Sequence, residues 1–477
     1  MGNKGSITVF CSLMIIVMLF LGISGIKVVE HHMAKSKGAM AVKSAMSGVD
    51  AGYNSYIFEN YHILLFDKNC GGKGEACLEE QLVRDIQINL GERFEVKQIG
   101  VSEYRLLMEE DCAAFKEQMA DYCGYAMVEY GADKILNSTG GGDGTVGNDI
   151  YEDMDAAQES ASQGNGADAS EDDEAVAEST GEVREDPKDP REFTDKLSAN
   201  GILAIVAPEA LSISSEKVDI SSVPSTHGTV AVEASYDIDK SFQDMDILKS
   251  DIDEYDSWKE KLIDGGVGLG YGASVFNCAT EEVLKDTVFS FELEYIICGN
   301  SSDEANLKGV VNRIIGLRFP VNYAYLVTDA GKMGEVSKIS VPLAITTGVP
   351  EPILKYLMAG CWAYVEAISD TRCLLHGERI GFLKDDKSWK TDLNNLEDSV
   401  NSMGKESDTG MCYKDYLLIL MAMDMEDGYY RMLDIIELNT RQHYKDFRIS
   451  NAAVGFWMDA QINYQGKDYY YSESMGY

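Results

Sequence analysis

Hydrophobic residues run without a charge from Ile7 to Ile26, ITVFCSLMIIVMLFLGISGI, a stretch of twenty positions. At 1.5 Å of rise per residue this makes about 30 Å of helix, the hydrocarbon thickness of a bilayer. Lys4 stands before the run and Lys27, Glu30, His31 and His32 follow it, so it ends abruptly on both sides, as a span does. The apolar core of a secretory signal is usually about 7–15 residues. The longer run, despite small residues at Gly22 and Ser24, predicts a retained anchor. The opening MGNKGS fits a myristoylation pattern, but a span directly after it makes a lipid redundant.

Helical patterning continues beyond the span. Ala34, Gly38, Ala41, Ala45, Gly48 and Gly52 recur at spacings of 4, 3, 4, 3 and 4, a stripe of small residues on one helical face. Such a face admits close approach of another element, either a second copy of this helix or a later segment of the same chain. Each interior glycine costs about 0.5–1 kcal/mol relative to alanine, so a packing gain must offset it. Leu78, Leu82, Ile86 and Leu90 predict an amphipathic helix over 78–94. A strand is expected near Val96–Leu107, then a long helix from Glu109 to Leu136.

Residues 138–190 carry sixteen acidic against two basic residues with hardly an apolar cluster, the composition of a disordered linker. Its loop GGGDGTVGNDIYEDMD fits neither an EF-hand nor a GGxGxD calcium repeat. Beyond it, a short helix is expected before Pro208, a strand over Thr229–Tyr236 and a helix over Asp251–Leu262. FSFELEYIICG alternates as a strand ending at Gly299, followed by a helix opened by Ser301 and Glu304 in capping-box spacing, with Leu307, Val310, Val311, Ile314 and Leu317 as its buried stripe. The apolar helix after Pro350 and Pro352 is broken by Lys355, Glu366 and Asp370, which argues for a core helix over a second span. One or two amphipathic helices follow in MCYKDYLLILMAMDMEDGYYRMLDIIEL, then a closing strand in FRISNAAVGFWMDAQINY. The expected fold class is α+β: a long N-terminal helix comprising the span and its extension, then a mixed helical and β soluble region. The expected division is a tail at 1–6, the span at 7–26, a helix-rich region at 27–137, an acidic linker at 138–192 and an α+β domain at 193–477.

Composition narrows the function. A formal charge of −39 repels nucleic-acid phosphates, so no nucleic-acid partner is expected. The ten cysteines contain no CxxC, and the small buried thiol is the expected role for most. Cys70 and Cys77 flank a glycine-rich loop and form a candidate local disulfide; Cys112 and Cys123, eleven residues apart on a helix, stand about 16 Å from each other, out of bonding reach. The six histidines show no zinc spacing, so no metal and no cofactor is expected. No G-x-S-x-G elbow occurs, and the glycine run GGVGLGYGASVF lacks the Gly-Lys-[Ser/Thr] of a phosphate loop. Glu292 and Glu294 could pair as acid and base, but such pairs arise by chance among eighty acidic residues, and no catalytic residue is expected.

KGSITVFCSLMIIVMLFLG, the lysine- and alanine-rich helix after it and NSYIFENYHILLFD resemble the start of a family of membrane-anchored proteins from Gram-positive bacteria, domain of unknown function family 5702. FELEYIICGNSSDEANLKGVVNRIIGLRFPVNYAYLVTD and CYKDYLLILMAMDMED with LDIIELN resemble it too. Members are often encoded beside tight-adherence (Tad) pilus genes, and their amino termini are similar to TadE- and TadG-like minor pilins. The resemblance implies a place at a pilus or secretion assembly, without catalysis, with the bilayer, other Tad components or a second copy as partners. The chain departs from the pilin pattern at Gly5 and Ser6, the candidate processing site, because no glutamate occurs before Glu30. That departure favours a stationary accessory protein over a polymerising subunit. Lys27, Lys35, Lys37 and Lys43 after the span would hold the large domain in the cytoplasm by the positive-inside rule, whereas the resemblance implies an external domain, and long domains cross largely regardless of charge. The alternative functions are an anchored ligand-binding or sensor module, which predicts an apolar pocket in residues 193–477, and an anchored enzyme.

Overall fold

The computed structural model describes residues 4–74, 76–130, 201–227, 266–282, 287–396, 400 and 410–477. The acidic linker, the Gly-Asp loop within it, the strand expected at Thr229–Tyr236 and the helix expected at Asp251–Leu262 lie outside these residues. The fold is α+β and falls into two compact units: residues 1–118 with 436–477, and residues 119–435. The division drawn from the sequence placed 436–477 with 193–435; here the last strands pair with a strand of the N-terminal region instead.

The first unit opens with α1 (Lys4–Asp50), one uninterrupted helix. A short α2 (Ser55–Tyr61), capped by the Asn54 side chain accepting from Ile57 N, leads into β1 (Phe66–Asp67). Then come α3 (Ala76–Leu90) and β2 (Phe94–Leu106). The four apolar residues expected on one face of α3 are those it buries, Leu78, Leu82, Ile86 and Leu90. The chain returns to this unit with β3 (Ala452–Tyr464) and β4 (Lys467–Gly476). β3 is the centre of an antiparallel sheet: β2 pairs along one edge, and β4 and then β1 pair along the other. Gln465 and Gly466 join β3 to β4 with φ of 51° and 83°, the two positive values of a type I′ turn. Along β3 the alternate residues Phe456, Met458, Ala460, Ile462 and Tyr464 are buried in one core with α1 and α3, and Trp457 and Asp459 face outward.

The second unit is helical among its described residues, apart from an isolated bridge between Ile380 and Met411. It contains the start-to-end series α4 (Glu109–Tyr130, begun in the first unit), α5 (Leu203–Val206), α6 (Gly266–Val275), α7 (Glu292–Cys298), α8 (Asp303–Thr328), α9 (Ala330–Thr347), α10 (Glu351–Leu375), α11 (Tyr413–Met423) and α12 (Met425–His443, completed in the first unit). In α4 the residues Glu110, Asp111 and Cys112 have φ of 50–60°, so regular helix starts only after them.

Three sequence expectations are corrected. FSFELEYIICG forms the helix α7, not a strand, because Glu292 and Glu294 are buried along with their apolar neighbours and the alternation marks no solvent face. Gly299, at φ 67°, ends it with its N–H bonded to the Tyr295 carbonyl. The next helix is capped by Ser302, one residue after the expected Ser301, with Ser302 Oγ accepting from Ala305 N. It buries Leu307, Val310, Val311 and Ile314 as expected, but Leu317 only in part, and it continues through Pro320 to Thr328. The helix after Pro350 is a core helix: Met358 to Ala363 and Val365 to Thr371 are buried in it.

Candidate functional site

Two halves of α1 meet different surroundings. From Val9 to Val29 every residue is exposed, including Phe20 at 69% and Leu21 at 65%. Burying one such side chain is worth about 1.5–3 kcal/mol, and soluble chains do not leave a helix of them in water. Among the described residues this is the helix long and apolar enough to cross a membrane. From Ala34 onward one face of the same helix is covered by the chain itself.

That covered face is the small-residue stripe. Ala34, Gly38, Ala41 and Ala45 are buried against α3 and β4, whereas Gly48 and Gly52 remain exposed. The small residues let β4 lie close: a Cβ added at Gly38 would fall on the Tyr471 hydroxyl. Three tyrosines fasten the seam. Tyr469 Oη lies 2.8 Å from His31 Nδ1, Tyr471 Oη donates to the Lys35 carbonyl at 3.1 Å, and Tyr477 Oη donates to the Asp50 carbonyl at 2.5 Å. β4 and the outer part of α1 therefore run side by side in the same direction, and the β3–β4 turn lies at the end of the seam nearest the apolar segment.

Around that turn, Lys467 Nζ is 3.2 Å from His31 Nδ1, and Lys37 Nζ donates to the Leu90 carbonyl at 2.7 Å while standing over the Phe94 ring. Desolvation first, then the positive field of Lys467, His32 and Lys35, hold the His31 imidazole below its ordinary pKa. The candidate processing site Gly5–Ser6 lies in the first turns of α1. Cys70 and Cys77 are free thiols in hydrogen-bond contact, and burial followed by that contact pushes Cys70 up to about 12. Cys112 and Cys123 share no disulfide.

The second unit holds a different cluster that the sequence did not announce. Arg318, Asp370, Lys384 and Glu366 are all fully buried by side chain. Asp370 Oδ2 accepts from Arg318 Nε and Nη2 at 3.1 and 3.0 Å and from Asn322 at 3.1 Å, and its Oδ1 accepts from Lys384 at 2.7 Å. Glu366 accepts from Lys384 at 2.5 Å and from the backbone of Lys390 and Thr391. Arg318 also donates to the carbonyls of Gly381 and Phe382, so Arg318 on α8 and two acids on α10, which hold Lys384 of the loop, bind the 380–391 loop to the helices. Burial would raise the Asp370 carboxyl, but Lys384 and Arg318 outweigh it and hold it below the ordinary range. All four charges are saturated by partners within the cluster. In the sequence Glu366 and Asp370 only interrupt an apolar helix; two acids one turn apart are the available signal, and nothing local marks their distant cations.

Glu294 is a separate buried acid. Its Oε1 accepts from Ala279 N and from Tyr413 Oη, both at 2.9 Å, and burial pushes it up to about 7. Glu292 instead accepts from Asn277 N, so the two glutamates serve different partners. Among the described residues no group of three or more His, Cys, Asp or Glu side chains is arranged to hold a metal ion. A concavity of about 450 Å³ lies along the outer sheet face beside Gln98, Ser102, Asp459, Gln461 and Tyr470.

Together these features define an α+β protein carrying an N-terminal helix long and apolar enough to cross a membrane. The chain belongs to a family of unknown function (DUF5702), whose model matches residues 180–464. The matched stretch contains the buried charge cluster and β3, but not α1, α3, β2 or β4. Neither a curated protein nor a solved structure matches the chain significantly.

Proposed function

We propose that the protein is a single-pass membrane-anchored, non-catalytic structural or accessory component of a Tad-type pilus or surface assembly, with its large body outside the cell membrane. The observation that carries the anchoring is the fully exposed apolar half of α1, continuous with a half that is packed into the first unit. A single helix that is lipid-facing at one end and structural at the other supports a stationary role, because the first unit cannot reorient on the helix without breaking the stripe. The assembly itself rests on the sequence likeness of the first residues to TadE- and TadG-like pilins. Four of the six stripe residues are used internally, so association with a second copy through this helix falls to its membrane half and to Gly48 and Gly52.

Three experiments test this reading. Copurification of Tad components with the detergent-solubilised full-length protein supports the assembly; recovery of the protein always alone removes it. A new cysteine placed between residues 138 and 190 and labelled by an impermeant thiol reagent on intact cells supports the external body, and absence of labelling places the body inside. Full-length protein recovered free in buffer after cell breakage overturns the anchoring.

A further inference from the structure

We propose that the β3–β4 turn and the first residues of α1 beyond the span form a contact surface for anionic phospholipid headgroups, which holds the first unit at a fixed height on the bilayer. The inference rests on the anchored reading of α1 and adds a partner for one edge of the fold.

Height along a continuous helix is set by rise per residue. His31 lies five residues past Ile26, about 7 Å beyond the hydrocarbon boundary and so within the headgroup layer. Lys467 touches His31, and Tyr469 bonds to it, so the turn Gln465–Gly466 is carried to the same level. Whichever way the rest of the body faces, this turn meets the lipid surface. Its chemistry fits that place. Lys27, Lys35 and Lys467 are exposed around it with His32, against two acids, Glu30 on the same turn of α1 and Asp468, whose carboxylate accepts from Gln461 and Asn463. Tyr470, three residues past Lys467 on the outer face of the sheet, stands 74% exposed, an aromatic of the kind that settles at a membrane interface. A local excess of basic side chains is against the trend of a chain with a formal charge of −39. An acidic body is repelled by an anionic surface, so a basic edge turned toward the lipid is what allows close seating.

The full-length protein would be placed in nanodiscs of phosphatidylcholine alone and of phosphatidylcholine with phosphatidylglycerol, and amide exchange followed across residues 463–470. Exchange at the turn is expected to slow by about fivefold in the anionic discs, to return on adding high salt, and to be insensitive to lipid in Lys467→Glu. Lys467→Arg keeps the effect, which separates charge from a loss of turn structure. Equal exchange of the wild-type turn in both discs overturns the proposal while leaving the anchor intact. Protein that enters neither kind of disc overturns the anchor itself.

Discussion

The two units differ in how much charge they bury. In the first, the core of α1, α3 and the sheet is apolar, its seam is fastened mostly by neutral groups such as the Tyr471 hydroxyl on a helix carbonyl, and the buried acid Glu437 stands outside that core on α12 beside Arg441 and Arg448. In the second, full charges are taken into the interior: Arg318, Lys384, Glu366, Asp370 and Glu294 are each inaccessible to water or nearly so. A neutral hydrogen bond can be lost at modest cost. A buried charge cannot, because the partner it leaves behind stays desolvated. The second unit is therefore expected to be brittle to single substitutions and sensitive to pH, and the first to yield gradually.

The sharpest break in that comparison is Asp370→Ala. It leaves Arg318 buried with no carboxylate and Lys384 with Glu366 alone, and a loss of about 3–5 kcal/mol is expected. Chemical unfolding of the solubilised protein measures it, with Trp362 and Trp389 as local reporters, since their rings lie 5.4 Å apart beside the cluster. A loss under about 1 kcal/mol would remove the cluster as an architectural element.

Glu294 sharpens the comparison through pH. Its folded pKa, about 7, lies above its ordinary value of 4.5, so the folded state holds the proton more tightly than the unfolded chain. The stability this group contributes is complete below about pH 4.5 and is lost as the pH rises through 7, a change of about 3 kcal/mol. Glu294→Gln keeps an oxygen for Ala279 N and Tyr413 Oη and cannot ionise. The variant is expected to gain stability relative to wild type between pH 5 and 8, and parallel pH profiles for the two proteins would refute the assignment.

In the first unit the largest effect is expected at Gly38. Gly38→Val places atoms where Tyr471 now stands, and overpacking of this kind costs about 1–3 kcal/mol. Valine at Gly48, where an added Cβ meets nothing, serves as the control and is expected to change stability by well under 1 kcal/mol after its β-branched helix propensity is allowed for. If both substitutions cost the same, the stripe is not a packing seam.

The same contrast explains which parts of the molecule could be read in the sequence. Burial that follows a local period was legible: the leucine and isoleucine face of α3, the alternation of β3, and the stripe of α1 all repeat within a few residues. The stripe did not say what would cover it, because β4 lies more than four hundred residues further along. The return of the last strands to the N-terminal region was hidden for the same reason. In the second unit, Asp370 meets cations 14 and 52 residues away, and no local pattern marks Lys384 or Arg318 as their partners. FSFELEYIICG misled because alternation is a signal only where one face is wet, and in α7 the carboxylates are buried too.

The smallest expected effect is at the seam itself. Tyr471→Phe removes a hydroxyl that donates to the Lys35 carbonyl while keeping the ring that fills the space beside Gly38. That carbonyl belongs to the backbone of a regular helix and keeps its helical partner, so no acceptor is stranded. The loss is expected to stay near 0.5–1.5 kcal/mol, the net worth of one neutral hydrogen bond. Combined with Gly38→Val, the effects should fall short of additive, because the valine already displaces the tyrosine and leaves no bond for the second change to remove. Full additivity would mean that the ring holds its place independently of the stripe, and that α1 and β4 are fastened by their ends rather than along their shared length.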